Sequence, residues 1–250
     1  MKIKAIQRKN VSLYDLLMKP FVFPNSSIIP RHLYTCWHTK ELPPLMQQNY
    51  DTIVRENPEI QVHLYDEADC RAFIQTYFNE EILAAYDALI PCSYKSDLWR
   101  YCVLFIHGGI YVDIKYKPMN GFRFIGLTDK EHFVRDADPT NVYTGLIVTM
   151  PKNVVLLGCI YQIVQNVKNR FYGGCPLYPT GPKLLQLFFT PEQKKRMILY
   201  HGYQEQINKY YIVYNDRIIL QFYDHYREEQ SKYQKNKRYN DLWFERKIYA

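Results

Sequence analysis

The chain has 250 residues, enough for one large domain with a packed core, or for one domain with a helical accessory. Its apolar share is 47%, with no uninterrupted apolar run long enough to cross a bilayer. The basic start, MKIKAIQRKN, is followed by no apolar core of a secretory leader, so no spanning segment, no leader and a cytoplasmic location are expected.

Residues 1–27 predict a short helical arm, VSLYDLLMK, followed by a turn; residues 28–250 predict a single domain. IPRHLYTCW reads as a buried strand. ELPPLMQQNYDTIVREN opens at a proline pair and sets Leu45, Tyr50, Ile53 and Val54 at helical spacing, until Asn57-Pro58 stops it. IQVHLYD alternates as a strand, and EADCRAFIQTYF is a helix with an acidic first turn. SYKSDLWRYCVLFIHGG puts Leu98, Tyr101, Cys102 and Phe105 on one helical face and ends at Gly108-Gly109. IYVDI follows as a short buried strand ending in an acid. HFVRD and YTGLIVTM are strand-like, NVVLLGCIYQIVQNVKN is helical, and YPTGPKLLQLFF is a turn leading into a helix. From Met197 onward, short strands mix with a basic, aromatic C-terminal helix or loop. Strands alternating with helices predict an α/β fold, a mainly parallel sheet flanked by helices.

The chemistry concentrates between Lys95 and Lys115. Asp97 and Arg100 are three apart on a helix and project from one face. The glycine pair then turns the chain into a strand that delivers Asp113 at its carboxyl end, where ligands of open α/β sheets bind. An exposed ion pair would account for Asp97 and Arg100 together, at about 0.3–0.5 kcal/mol, and packing would account for Trp99 and Tyr111. Asp113 resists such a reading, because Asp is disfavoured in strands and costly to bury unpaired.

IPRHLYTCWH, NPEIQVHLYD, KSDLWRY and GGIYVDIK, with Thr180-Gly181-Pro182 downstream, together resemble the DXD-containing sugar-transferase family. That family includes yeast-type initiating mannosyltransferases, capsular polysaccharide transferases and, more distantly, the glucosylating clostridial toxins. The resemblance runs from about residue 28 to residue 185. It implies a GT-A fold, a Rossmann-type sandwich, and transfer of a hexose from a nucleotide-diphosphate sugar to an acceptor hydroxyl. A UDP-sugar is the favoured donor and GDP-mannose the other; retention at the anomeric carbon is implied as well. Carried over by position, Trp37 stacks on the base. Tyr65 and Asp66 lie at the base and ribose. Ser96, Asp97 and Arg100 grip the donor sugar, Arg100 through its planar fork. Tyr111 packs on the sugar or ribose, and Asp113 binds ribose and metal. Trp243 stands where such proteins place a late aromatic.

One position departs from the pattern. The second acid, ordinarily a direct Mn2+ or Mg2+ ligand, is Lys115, and an ammonium cannot ligate a hard cation. Three readings remain open: Lys115 replaces the metal at the diphosphate, Asp136 or Asp138 supplies the missing ligand, or the site binds without turning over. Asp136 and Asp138 flank a proline turn, where Asp is common for turn reasons alone. Tyr239, Asn240 and Trp243 read as packing or capping residues, with closure over a diphosphate as the other role.

The formal charge of +7 attracts phosphate of any kind. Much of it lies in SKYQKNKRYNDLWFERK, which reads first as a solvated face. A basic nucleic-acid-binding protein is the remote alternative, since no nucleic-acid motif is present. The expected partners are a nucleotide-sugar donor and a glycan, protein or lipid acceptor. The six cysteines show no metal spacing and read as free thiols in a reducing compartment. Abundant Tyr, Lys, Asn and Ile suggest an A+T-rich genome, viral or cellular, with the host cytoplasm as the location if viral.

Overall fold

The computed structural model describes residues 27–205, 209–234 and 236–250. The arm expected over residues 1–27 lies outside them except for residue 27. The first unit is strand β1 (His32–Cys36), helix α1 (Pro44–Glu56) and strand β2 (Gln61–Tyr65), with β1 and β2 parallel and in register from His32↔Gln61 to Cys36↔Tyr65. α1 starts on a proline with no side-chain cap, where its missing N–H costs nothing. Its buried face is Met46, Asn49 and Ile53, whereas Leu45 and Val54, read from the sequence as apolar-face residues, are exposed. The polar Asn49 takes the inner position because its amide donates to the carbonyls of Ile114 and Tyr116, both at 2.9 Å.

Helices α2 (Glu67–Tyr77), α3 (Glu80–Ala88) and α4 (Cys92–His107) follow, with Asp66 and Asn79 capping the first two. α4 ends at Gly108 and Gly109, both with positive φ, and β3 (Gly109–Val112) runs back parallel to β1. β3 alternates strictly. Ile110 and Val112 enter the core beneath α1, and Tyr111 enters the core beneath α4 with Trp99 and Tyr101. The sheet is therefore covered on both faces.

After β3 come β4 (Tyr116–Pro118), β5 (His132–Arg135), β6 (Val142–Thr149) and helix α5 (Val154–Lys168). The short helices α6 (Pro182–Leu185) and α7 (Pro191–Arg196) lead to β7 (Leu199–Gln204), β8 (Lys209–Tyr214) and β9 (Arg217–Phe222). Helices α8 (Tyr226–Tyr233) and α9 (Tyr239–Phe244) close the chain. The nine strands order as β2-β1-β3-β6-β5-β7-β8-β9-β4. The α/β class and the helix-flanked sheet are as expected. Parallel pairing is concentrated at β2-β1-β3 and recurs at β5-β7, while the other pairs are antiparallel. The β8–β9 link shows why: two residues, Asn215 and Asp216, both at positive φ, make a tight hairpin that admits only antiparallel strands.

β3 and β4 are separated by residues 113–115 alone, yet β3 is third in the sheet and β4 last. Three residues reach at most ~10 Å. The sheet must curl until its β4 edge returns to the carboxyl end of β3. The Tyr223 N–H then donates to the Lys115 carbonyl at 3.0 Å. This closure brings the C-terminal helices to the Asp113 loop. Among the described residues, no helix is long and apolar enough to cross a membrane.

Gly109 sits at φ +104°, and a Cβ there would lie 2.6 Å from the His32 carbonyl oxygen. Gly109→Ala is expected to cost ~2 kcal/mol or more through this clash and backbone strain. Gly174→Ala, where the nearest atom would lie 3.7 Å away, should cost far less. Thermal unfolding of both variants reads the difference.

Candidate functional site

The site is built from two adjacent elements. On α4, Arg100 lies one turn beyond both Ser96 and Asp97 and so reaches each of them. On β3 and just beyond it, Tyr111 and Asp113 are two apart and point the same way. The Tyr111 hydroxyl donates to Asp113 Oδ1 at 2.7 Å, and the Arg100 guanidinium stacks on the Tyr111 ring at 4.3 Å. Beyond the strand, the Asp113 N–H still donates to the Gly145 carbonyl at 2.9 Å. The carboxylate therefore projects from a fixed backbone.

Arg100 uses its whole fork on the protein. Nε donates to the Ser96 carbonyl (3.2 Å), Nη2 to Ser96 Oγ (2.9 Å) and Nη1 to the Thr144 carbonyl (2.9 Å). Its remaining contacts are Asp97 Oδ1 at 3.2 Å and Asp113 Oδ1 at 3.5 Å. Asp97 is buried; its Oδ2 accepts from the Thr180 hydroxyl at 2.7 Å, and its side chain does not line the cleft beside Asp113. Asp97 stands behind Arg100, and each of these desolvated charges finds its partner on the protein.

Electrostatics follow from this burial. Burial raises the Asp97 carboxyl pKa against the pull of Arg100. Burial acts the same way on Asp113 but is outweighed by Lys115 and Arg100, which hold that carboxyl well below the usual range. Lys115 Nζ lies 2.7 Å from Asp113 Oδ2. Burial lowers the Lys115 pKa, and Asp113 opposes this. Two carboxylates and two cations thus balance in one chain: Asp97, Arg100, Asp113, Lys115.

The cleft beside Asp113 is lined by Trp37 at the end of β1, by Ser96 and Arg100 of α4, and by Tyr111, Asp113 and Lys115. The structure thus gathers seven of the residues singled out in the sequence, these six and Tyr239. It does not gather the others. Asp66 caps α2, accepting from the Asp69 N–H at 2.8 Å, and Tyr65 packs its ring on Trp99 at 4.8 Å; neither lines the cleft. Trp243 donates to the Tyr172 carbonyl and packs on the core away from the cleft. Asp136 pairs with His201 and Asp138 with Thr140 and Lys183, again outside the lining. From the C-terminal segment, Tyr226, Arg227, Arg238 and Tyr239 complete the lining. The sequence pointed to Arg238 through the basic, aromatic tail and to Tyr239 by name, whereas Tyr226 and Arg227 precede that tail.

The metal implied by the DXD resemblance does not fit this donor set. Hard divalent cations take several oxygen ligands. Here Asp113 Oδ1 accepts from Tyr111, Oδ2 is paired with the Lys115 ammonium, and the second acid position is itself a cation. Among the described residues, no group of three or more His, Cys, Asp or Glu is arranged to hold a metal ion.

Arg100→Met leaves Asp97 and Asp113 buried without their shared cation, and is expected to destabilise by about 3–5 kcal/mol. Thr180→Val removes one hydrogen bond to Asp97 and should cost about 1–3 kcal/mol. Urea unfolding measures both. Arg100→Lys should not restore stability, since an ammonium cannot serve the guanidinium's fork of partners.

Residues 43–130, which include the Asp113 loop, match the family described as a glycosyltransferase sugar-binding region containing DXD motif. An uncharacterized glycosyltransferase of Acanthamoeba polyphaga mimivirus is 26% identical over 51% of this chain and 53% of its own length. Inositol phosphoceramide mannosyltransferase 3 of Schizosaccharomyces pombe is 28% identical over 68% of this chain and 47% of its own. The initiation-specific alpha-1,6-mannosyltransferase of Candida albicans is 24% identical over 41% of this chain and 28% of its own. The chain thus spans about half or less of the curated relatives it matches. The solved PaToxG glycosyltransferase shares the fold, with a TM-score of 0.51 at 18% identity, over 64% of this chain and 67% of that one. The matched region, the relatives and the fold agree with the motifs read in the sequence: the chain resembles the DXD-containing sugar-transferase family in sequence and the PaToxG glycosyltransferase in fold.

Proposed function

We propose that the chain transfers a hexosyl group from a nucleotide-diphosphate sugar to an acceptor hydroxyl, in the cleft between Trp37 and Lys115. The observation that carries this reading is Asp113. It is a half-buried carboxylate at the carboxyl end of a central strand, fixed by Tyr111, Arg100 and Lys115, and open to a cleft whose lining carries more cations than acids.

In the reaction, the bond between the anomeric carbon and the β-phosphate oxygen breaks, and the diphosphate leaves with the electron pair. The acceptor oxygen bonds to that carbon and gives up its proton to solvent. The protein must orient the sugar and stabilise charge developing on the diphosphate. Asp113, with one wall of the cleft, suits hydroxyls of the ribose or sugar. Trp37 offers an aromatic face for the base. Lys115 carries a positive charge beside them. Retention of anomeric configuration is part of the proposal on the strength of the family resemblance.

The relatives named as mannosyltransferases bring a mannosyl donor forward beside the UDP-sugars favoured from sequence. The relative named for inositol phosphoceramide makes a hydroxyl-bearing lipid headgroup the first acceptor to try. A cytoplasmic site of action belongs to the same proposal. Lys115, in place of an acid, favours one rival: a protein that binds sugar nucleotides without turnover.

The test pairs thermal unfolding with release of nucleoside diphosphate, using UDP-glucose, UDP-galactose and GDP-mannose. A donor at 100 times its Kd should stabilise by about 2.7 kcal/mol, a rise of several degrees. Asp113→Asn should lose most of that rise. Stabilisation with diphosphate release supports transfer; stabilisation without release under any acceptor supports the binding-only rival. If no sugar nucleotide stabilises the chain, the proposal fails.

A further inference from the structure

We infer that the donor's diphosphate is held by protein cations alone, Lys115 from the β3–β4 loop together with Arg227 and Arg238 from the C-terminal segment, in the place where DXD proteins hold a divalent metal. This rests on the donor-site reading above and goes beyond it by naming what neutralises the leaving group.

Three cations of the cleft are already matched by a carboxylate of their own. Lys95 pairs with Glu67 at 2.5 Å, Lys237 with Glu245 at 2.6 Å, and Arg100 with Asp97 at 3.2 Å. Lys115 shares Asp113. Arg227 and Arg238 also face the cleft, and among the described residues neither pairs with a carboxylate. They leave two unspent positive charges at the cleft, as many as one divalent ion carries. The diphosphate of a sugar nucleotide carries two negative charges.

Position supports the same assignment. Arg227 lies in the first turn of α8, its guanidinium over the rings of Tyr226 and Phe222 at 5.3 and 5.5 Å and donating to Gln230 at 2.9 Å. Lys115 Nζ lies 5.0 Å from the centre of the same Phe222 ring, so the two cations share one aromatic neighbour. Both arginines act electrostatically on the Tyr226 hydroxyl, a lining residue of the same wall. α8 is not a loose tail. Glu229 accepts from the N–H groups of Leu45 and Met46 at 2.8 and 3.0 Å and from the Tyr223 hydroxyl at 2.8 Å. This bolts α8 to the start of α1. Arg227 therefore enters the cleft from a fixed helix, and a cation held in place before the ligand arrives stabilises developing charge without reorganisation. Guanidinium groups match phosphate oxygens two at a time.

The experiment is calorimetric titration of the full chain with UDP and with GDP, in EDTA, in Mg2+ and in Mn2+, with UMP and GMP as single-phosphate controls. The expected result is equal affinity for one diphosphate in EDTA and in either metal. Arg227→Gln/Arg238→Gln should weaken that diphosphate by 10- to 100-fold and the monophosphate by much less. Both side chains are exposed, so the melting temperature of the double variant should stay near wild type, separating lost binding from lost folding. Lys115→Met provides a second loss of charge and should weaken diphosphate binding in the same direction. Diphosphate binding that requires Mn2+ or Mg2+, or that survives the double arginine variant intact, overturns the inference while leaving the donor site standing. Failure of both nucleotides to bind in every condition overturns the donor site as well.

Discussion

Everything at the site depends on one buried line of alternating groups: Thr180, Asp97, Arg100, Asp113 and Lys115. Each charge in it would be costly alone in a desolvated position, and each is made tolerable by the next. Thr180 and Arg100 divide the two oxygens of Asp97, Arg100 reaches on to Asp113, and Lys115 closes the other side of Asp113. Removing an interior member strands its neighbours. The outcome is a single carboxylate of fixed direction at the mouth of a strand, with its ionised form favoured by two cations.

That line sits in a cleft because the sheet curls. The three-residue link from β3 to β4 obliges the far edge to return to the middle of the sheet, and Asn49 of α1 holds it through the carbonyls of Ile114 and Tyr116. Curling carries α8 and α9 onto the same opening. Part of the cleft lining therefore comes from a part of the chain more than a hundred residues distant from Asp113, and that part brings the unmatched positive charge.

What the sequence made legible was local. Ser96, Arg100, Tyr111 and Asp113 are related by helical and strand periodicity across one tight turn, so their convergence could be read directly, and the departure at Lys115 was visible on inspection. Three residues carried over by the resemblance do not line the cleft, for physical reasons that sequence does not display. Asp66 follows a strand end, which suggests a ligand position, but a helix begins there and its exposed N–H groups claim the carboxylate. Asp97 looked like a ligand-facing partner of Arg100, but it lies on the buried side of α4. Trp243 has the right residue type, but its indole N–H is spent on Tyr172. Conversely, Asn49 escaped notice because apolar periodicity ignores a polar residue on an inner face, and Arg227 and Arg238 because only long-range strand order places them. The sheet was expected to be mainly parallel; its second half pairs largely through hairpins such as Asn215-Asp216, whose shortness dictates antiparallel strands.

The central claim is that the cleft at Asp113 and Lys115 receives the diphosphate of a sugar nucleotide. A crystal structure of the chain with a nucleotide-diphosphate sugar, grown without divalent metal, tests it most directly. The account expects the diphosphate within hydrogen-bond reach of Lys115 and the guanidinium groups of Arg227 and Arg238, with sugar or ribose hydroxyls at Asp113. A nucleotide bound elsewhere on the molecule, or a diphosphate pointing away from Lys115, would contradict it.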